Sequence, residues 1–326
     1  MKGQSRIRFA MPASEAVATI CRRITAKMEQ ACNRLHQHSD EEALHDLRVA
    51  MRQMRSTFRA YPGELPHDKT IIKRLKQLAG LTNPARDAEV RVVWLQEAVA
   101  ELPAYAQRVM PDVIAYAERQ VREAYQTVDE QVAGEINAWT RMMKKALKAM
   151  STSKDAQCFG ELFAERLGAV TERLDRQLHA LEGEADFHAV HETRITGKQV
   201  RYLLDPLQGE IPGIKPLIKE LKKLQDLLGA FHDAQVRLDW LAETVDTLGG
   251  RYAQARFGHL IETGGRSARI DAGDPVPALL ALTRITLRQQ KHLFQQVLHE
   301  QRQGRYRDLI ARLRVQCVRS RGRTVT

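Results

Sequence analysis

The chain has 326 residues, 43% of them apolar, which is enough to bury the core of one large or two medium domains. Its 51 lysines and arginines exceed its 40 aspartates and glutamates, giving a net charge of +11 at pH 7. This excess favours an acidic partner such as nucleic acid, an anionic membrane or another polyanion, without choosing among them. Pro12 and Glu15 interrupt the N-terminal apolar stretch, and no run of about 18 apolar residues occurs, so we expect neither a signal peptide nor a membrane span.

Helical periodicity covers almost all of the chain, and no segment alternates as a strand would. In chain order, the predicted helices span roughly residues 13–37, 45–61, 67–82, 86–101, 112–150, 158–182, 187–204, 215–229, 232–248, 251–263 and 276–302. Turns with proline and glycine are predicted at 61–68 and 206–216. Helices of this length with short connections favour antiparallel bundles. Residues 305–326 carry seven arginines and one acid, Asp308, which predicts a basic tail that is helical at first and then frayed.

One basic helix occurs twice, as HDLRVAMRQMRS at 45–56 and HETRITGKQVRY at 191–202. In each copy a histidine is followed by cations three, seven and ten positions later. At about 100° per residue, these positions share an arc of about 80° and form one cationic stripe about 15 Å long. We call the two sets the cationic stripes. They comprise His45, Arg48, Arg52 and Arg55 in the first copy, and His191, Arg194, Lys198 and Arg201 in the second. Because stacked like charges destabilise a helix, the stripes predict an elongated, repetitive anionic ligand.

The repeat extends beyond the basic helices. Residues 45–99 align without a gap on residues 191–245, with 22 identities in 55 positions, which indicates an internal duplication. We therefore predict one domain over residues 1–304, made of repeats at about 8–152 and 153–304, with the first repeat ending near residues 151–155. Trp94 and Trp240 match in the alignment and lie on apolar helices, so both are predicted core residues.

A second set of cations follows the turn in each repeat. It consists of Lys73 and Lys76, and of Lys219 and Lys222, one helical turn apart in each case. If these helices pack beside the basic ones, the cations would line a groove. Tyr202 is the one aromatic candidate for ligand contact within the stripes, and Ser56 replaces it in the first repeat. Since aromatic residues make up only 6% of the chain, binding of single-stranded nucleic acid by stacking is disfavoured.

Two further pairs of matched residues lie at the next predicted helix start. Asp87 and Asp233 are expected to act as N-caps or as partners of nearby arginines, a structural role that we favour over catalysis. Arg86 and His232 precede them, and either contact the ligand or only stabilise the turn; the sequence leaves both alternatives open.

The sequence has none of the usual signatures of phosphate chemistry. It contains no glycine-rich phosphate loop, no H-E-x-x-H motif and no acidic cluster suited to Mg²⁺, so we expect binding without catalysis and without a cofactor or metal. The cysteines are widely spaced, without metal-binding patterns, and predict reduced thiols in a cytoplasmic protein; they are Cys21, Cys32, Cys158 and Cys317.

The two basic segments, together with LAGLTNPARDAEV and LQDLLGAFHDAQV, resemble the CHAD family (conserved histidine α-helical domain) over about residues 8–302. The resemblance implies an all-α fold of two similar antiparallel helical bundles related by pseudo-two-fold symmetry, with a central basic groove or pore that binds inorganic polyphosphate. It assigns ligand binding to the two stripes, with the four lysines nearby. Asn83, Pro84 and His232 depart from the family pattern, which leaves the roles of those positions open.

The leading hypothesis is therefore a non-catalytic polyphosphate-binding protein that is directed to polyphosphate granules. The first alternative is a nucleic-acid-binding protein, which the net charge and the basic tail favour. A less favoured alternative is an enzyme that cleaves or transfers phosphate. The preferred polyphosphate length, the oligomeric state, any granule-targeting partner and the role of the tail do not follow from the sequence.

Overall fold

A computed structural model describes residues 6–37, 42–65, 69–150, 157–181, 187–264 and 273–322. These residues form α-helices and short 3₁₀ and π segments without any strand, which confirms the predicted all-α class. No helix in these ranges combines the length and hydropathy that crossing a membrane requires. The predicted repeat boundary at 151–155 and part of the predicted turn at 61–68 lie outside the described residues, so the division into two repeats stays a prediction.

The helices are connected mainly by short segments. Their bounds are α1 Ala13–His36, α2 Ala43–Ala60, α3 Lys69–Ala98, α4 Ala104–Gln107, α5 Met110–Thr127, α6 Ala133–Ala149, α7 Phe159–His179, α8 Phe187–Leu204, α9 Ile214–Thr244, α10 Gly250–Glu262, α11 Val276–Arg302 and α12 Arg305–Gly322. A π-helical segment, Val128–Val132, joins α5 to α6, and another, Val245–Gly249, joins α9 to α10. The first three helices of each predicted repeat thus occur in the same order and with similar lengths.

The chain divides into two compact units. Unit 1 contains residues 1–83, 127–228 and 296–326, and unit 2 contains residues 84–126 and 229–295. Each unit takes residues from both predicted repeats, because α3 and α9 both continue from unit 1 into unit 2.

The core of unit 1 includes an aromatic cluster beside α1, α2 and α7. The ring of Phe9 stacks on Phe163 with centroids 5.5 Å apart, and Phe159 lies 5.9 Å from Phe163 and 6.0 Å from Tyr61. All four side chains are buried. Burial of such large apolar surfaces is the main force that fixes the packing of these helices.

Backbone hydrogen bonds in unit 1 connect the starts of α1 and α7 reciprocally. The amide of Ala13 donates to the carbonyl of Gln157 at 3.0 Å, and the amide of Phe159 donates to the carbonyl of Met11 at 2.9 Å. Ala13 corresponds to Phe159, and Met11 to Gln157, at the same 146-residue offset that relates the basic helices. A two-fold axis between the repeats would produce this exchange, so the contact supports the predicted pseudo-symmetry.

The core of unit 2 is built around the two matched tryptophans. Trp94 and Trp240 are only 6% and 5% exposed, which confirms that both are core residues. The guanidinium of Arg91 lies 4.8 Å from the Trp240 ring centroid, and that of Arg237 lies 5.0 Å from the Trp94 ring centroid. These two cation–π contacts are again related by 146 residues and hold the core tryptophans from both repeats.

The predicted helix break before Asp87 and Asp233 is wrong. Both residues lie inside continuous helices, α3 and α9, and so neither is an N-cap. Proline removes one backbone donor, but α3 continues through Pro84 because its buried positions keep helical spacing on both sides. The alternative prediction, that these aspartates are partners of nearby arginines, is confirmed. The charge of Asp87 stabilises the charged form of Arg91, and that of Asp233 stabilises the charged form of Arg237.

The C-terminal region is more ordered than the sequence predicts. Helix α12 continues to Gly322 and packs against α7 in unit 1. Its buried residues Leu309, Ile310 and Leu313 form an apolar stripe at helical spacing, and that stripe overrides the fraying expected from the arginines. Arg314 on the outer side of α12 pairs with Glu172 of α7 at 2.8 Å.

Candidate functional site

The two cationic stripes lie on α2 and α8, which pack against each other in unit 1, and are called the α2 stripe and the α8 stripe. The neighbouring faces of both helices are buried, so that each stripe is held beside an anchored apolar face. Arg55 is exposed, and the other seven stripe residues are half-buried. The structure therefore brings the two predicted halves of the site onto adjacent helices.

The α2 stripe is fixed to α3 by one of its arginines. The Nη1 atom of Arg48 donates to Asn83 Oδ1 at 2.6 Å and lies 3.3 Å from Thr82 Oγ1. Asn83, where the sequence departs from the family pattern, thus orients a stripe residue. The Nε atom of Arg52 is buried and has no hydrogen-bond partner among the residues that the structure describes.

The lysine-bearing segments lie beside the stripes. On α3, Lys76 precedes Asn83 by seven residues, which places it on the face that meets Arg48, about 10 Å along the axis. On α9, Lys222 lies one turn before Gln225, whose side-chain amide donates to the Gly197 carbonyl of α8 at 2.8 Å. All four predicted lysines are exposed, and none forms an ion pair with a described residue.

The C-terminal end of the α8 stripe contains a carboxylate that the sequence analysis missed. Asp205 Oδ2 lies 3.5 Å from Arg201 Nε, and Asp205 is also hydrogen-bonded to Gln53 of α2. Burial raises the pKa of Asp205, while Arg201, the hydrogen bond from Gln53 and Lys27 of α1 act in the opposite direction. Residues from three helices therefore meet at this end of the stripe.

Tyr202 lies in the same region but is mostly enclosed. The residue is 8% exposed, its hydroxyl is buried, and the Arg201 guanidinium lies 5.2 Å from the centroid of its ring. The ring thus supports an arginine of the stripe, and its contact with a ligand stays a prediction.

The structure also brings two cations beside the stripes that the sequence analysis did not identify. Lys27 of α1 acts on Asp205, and Arg173 of α7 donates to Gln199 of α8 at 2.7 Å. Lys27 and Arg173 are related by 146 residues, as are Gln53 and Gln199. Extending the alignment upstream of residue 45 at the same offset would have found the matched pair of cations.

The open question about Arg86 and His232 is partly resolved by contacts within unit 2. Arg86 forms an ion pair with Glu89 at 2.9 Å, and Glu89 also accepts a hydrogen bond from the Tyr125 hydroxyl. These contacts favour the structural role for Arg86. His232 is half-buried and belongs to the same unit. Across the described residues, no group of three or more histidines, cysteines and acids is arranged to hold a metal ion.

Comparison with known proteins decides the family. The sequence profile of the CHAD domain matches residues 19–242, a span that contains both stripes and all four lysines. The chain belongs to the CHAD family.

The fold of this CHAD protein is similar to two solved structures. One is the crystal structure of the CHAD domain from the plant Ricinus communis, with a TM-score of 0.62 and 19% identity over 86% of this chain and 95% of that one. The other is PptA from Streptomyces chartreusis, with a TM-score of 0.62 and 17% identity over 89% of this chain and 100% of that one. Among curated protein sequences, none matches this chain.

Proposed function

We propose that this CHAD protein binds inorganic polyphosphate in a basic groove formed by the two stripes and the flanking lysines. The observation that carries the proposal is that α2 and α8, each with a histidine-led cationic stripe, pack against each other in one unit. A linear polyanion that lies along both helices would meet cations from both repeats.

The side chains suit phosphate oxygens. Arginine presents a planar fork that makes bidentate, charge-assisted hydrogen bonds, whereas lysine acts as a point charge. Successive stripe residues are spaced about 4.5–6 Å along the helix axis, so that a chain with closely repeated charges can engage several of them at once. Arg52 is half-buried, and its Nε atom makes no hydrogen bond to any residue that the structure describes, so no contact within these ranges satisfies that donor.

The proposal is tested by removing one charge from each stripe. Arg52→Ala with Lys198→Ala is expected to weaken binding of labelled polyphosphate by about 100-fold or more, because each lost contact to a charged group contributes about 1.5–3 kcal/mol. The matched control removes two exposed charges from other helices of unit 1, Lys145→Ala with Arg312→Ala, and should bind almost normally. Circular dichroism and thermal melting establish that both variants are folded.

The nature of the anion is tested by competition. Polyphosphate bound to the wild-type protein should resist displacement by an excess of RNA or DNA. Preferential binding of nucleic acid would replace the proposed ligand by the alternative one. Normal polyphosphate binding by the double variant, with its fold intact, would refute the groove itself.

The proposed function includes no chemical step. Incubation of the purified protein with polyphosphate and Mg²⁺ should release no orthophosphate and should not shorten the polymer. Chain shortening that disappears in Arg48→Ala would show that the protein is instead an enzyme.

We further propose that the protein acts in the cytoplasm and associates with polyphosphate granules. The free state of all four cysteines is typical of a reducing compartment and supports this location. A fluorescent fusion should co-localise with stained granules, and the Arg52→Ala, Lys198→Ala variant should become diffuse. A wild-type fusion that stays diffuse in cells containing granules would contradict the association.

A further inference from the structure

The two stripes differ at their C-terminal ends. On α2, the position 14 residues after His45 is Arg59, which is exposed. The matched position after His191 is Asp205, which directly follows α8 and begins a short 3₁₀ segment, Asp205–Leu207. The first stripe is thus followed by a further positive charge, whereas the second is followed by a negative charge. This asymmetry breaks an otherwise matched cationic pattern.

The ion pair between Arg201 and Asp205 is poorly formed. Its atoms Nε and Oδ2 are 3.5 Å apart, which is longer than the roughly 2.7–2.9 Å of a charge-assisted hydrogen bond. The Nε atom is buried and makes no hydrogen bond to any residue within the described ranges. Both side chains keep some exposure, 22% for Arg201 and 18% for Asp205, so an external anion can approach the pair.

The Asp205 carboxylate also interacts with residues of two other helices. Gln53 of α2 is hydrogen-bonded to it, and Lys27 of α1 stabilises its charge. The Arg201 guanidinium is in turn supported by the ring of Tyr202 at 5.2 Å. Each member of the pair therefore has another contact that keeps it in place when the two separate.

We propose that Asp205 competes with the bound polyanion for Arg201, so that this carboxylate lowers the affinity of the α8 stripe relative to the α2 stripe. The inference rests on the proposed polyphosphate-binding function. When the polymer binds, a phosphate oxygen takes the place of Asp205 beside Arg201, while Gln53 and Lys27 retain the carboxylate. Asp205 thereby limits the strength of binding at one end of the site.

The direct test is the nearly isosteric variant Asp205→Asn. Removing one negative charge beside the ligand is expected to lower the Kd for labelled polyphosphate about tenfold at low salt, and less at high salt. The matched control is Glu172→Gln, which removes the same charge from the ion pair with Arg314 between α7 and α12. Unchanged or weaker binding by Asp205→Asn, relative to Glu172→Gln, would overturn the inference.

The internal repeat supplies a second comparison. Arg55 is the counterpart of Arg201 but is followed by Arg59 in place of an acid. In the wild-type protein, Arg55→Gln should weaken binding about tenfold and Arg201→Gln by only two- to threefold, since Arg201 first has to leave Asp205. In the Asp205→Asn background the two losses should become equal. Equal losses in both backgrounds would contradict competition at Arg201.

A measurement on the wild-type protein covers the case in which Asp205→Asn fails to fold. The carboxyl resonance of Asp205, followed by ¹³C nuclear magnetic resonance, should titrate at higher pH once polyphosphate is bound, because the carboxylate then loses Arg201 and faces phosphate charges. An unchanged or lower titration midpoint would refute the inference. Absence of polyphosphate binding by the wild type would instead refute the proposed function, and the inference with it.

Discussion

The affinity of this CHAD protein for polyphosphate should fall steeply with salt. Two stripes supply six arginines and lysines, and the flanking segments of α3 and α9 supply four exposed lysines. Each cation that neutralises a phosphate releases a counterion, which for single-stranded nucleic acids changes the logarithm of the binding constant by about −0.7 per tenfold increase in salt, and we apply the same value to polyphosphate. Six contacts predict a slope of about −4, and ten predict about −7.

These slopes differ enough to be measured. Between 50 and 200 mM NaCl, a slope of about −4 lowers the affinity roughly 300-fold, whereas a slope of about −7 lowers it by roughly four orders of magnitude. Fluorescence anisotropy of labelled polyphosphate at several salt concentrations gives the slope directly. Replacing all four lysines by glutamine should make it shallower by about 3 if they contact the ligand, and should leave it unchanged if only the stripes do.

The control removes charge away from the stripes. The variant Lys145→Ala with Arg312→Ala should keep the wild-type slope, although the net charge falls by the same amount as in the two-stripe variant. A wild-type slope shallower than about −2, or an equal effect of the control, would show that the cations do not act as a localised site.

Three further predictions concern stability and reactivity. Phe159→Ala should lower the free energy of unfolding, measured in urea, by about 3–5 kcal/mol because the ring is fully buried. The control Phe257→Ala, at a residue that is 68% exposed, should change it by less than about 0.5 kcal/mol. Equal effects of the two variants would contradict the described packing of Phe159. Because burial raises the pKa of Asp205, its stabilising contribution is present below the unfolded pKa and is lost as pH rises through the folded value. The melting temperature of Asp205→Asn should therefore increase relative to that of the wild type as pH rises above the ordinary aspartate pKa, and a difference that does not change with pH would argue against this. Burial raises the pKa of Cys21 to about 12 and that of Cys317 to about 11, so at pH 8 a thiol reagent should modify Cys158 first. The variant Cys158→Ser should then lose the fastest phase of thiol modification. A fast phase that survives in this variant would show that another cysteine is the most reactive.

Most of the helices were predictable because their buried positions recur at helical spacing. Leu44, Leu47, Met51 and Met54 mark one face of α2, and all four are buried. The predicted ends of the helices were less reliable. Separate helices were predicted at 67–82 and 86–101, yet α3 continues through Pro84, because burial on both sides of one proline outweighs a single missing hydrogen bond.

The residues of each stripe could also be predicted from the sequence. Successive stripe residues are three or four positions apart, and residues at that spacing share one face of a helix whatever the helix packs against. The neighbours of the stripes were not. Asn83 contacts Arg48 from 35 positions away, and the surroundings of Asp205 combine Lys27 and Gln53 from two other helices. No periodicity relates such residues.

The sequence by itself determined the all-α class, the two cationic faces and their 146-residue relation, because all three depend on the order of residues along single helices. Only the tertiary structure decided that Tyr202 is enclosed, that α12 packs on α7, and that a carboxylate lies beside Arg201. Those features depend on which helices meet and at which side chains. Packing contacts between distant segments set that arrangement, and hydropathy along one segment does not specify them.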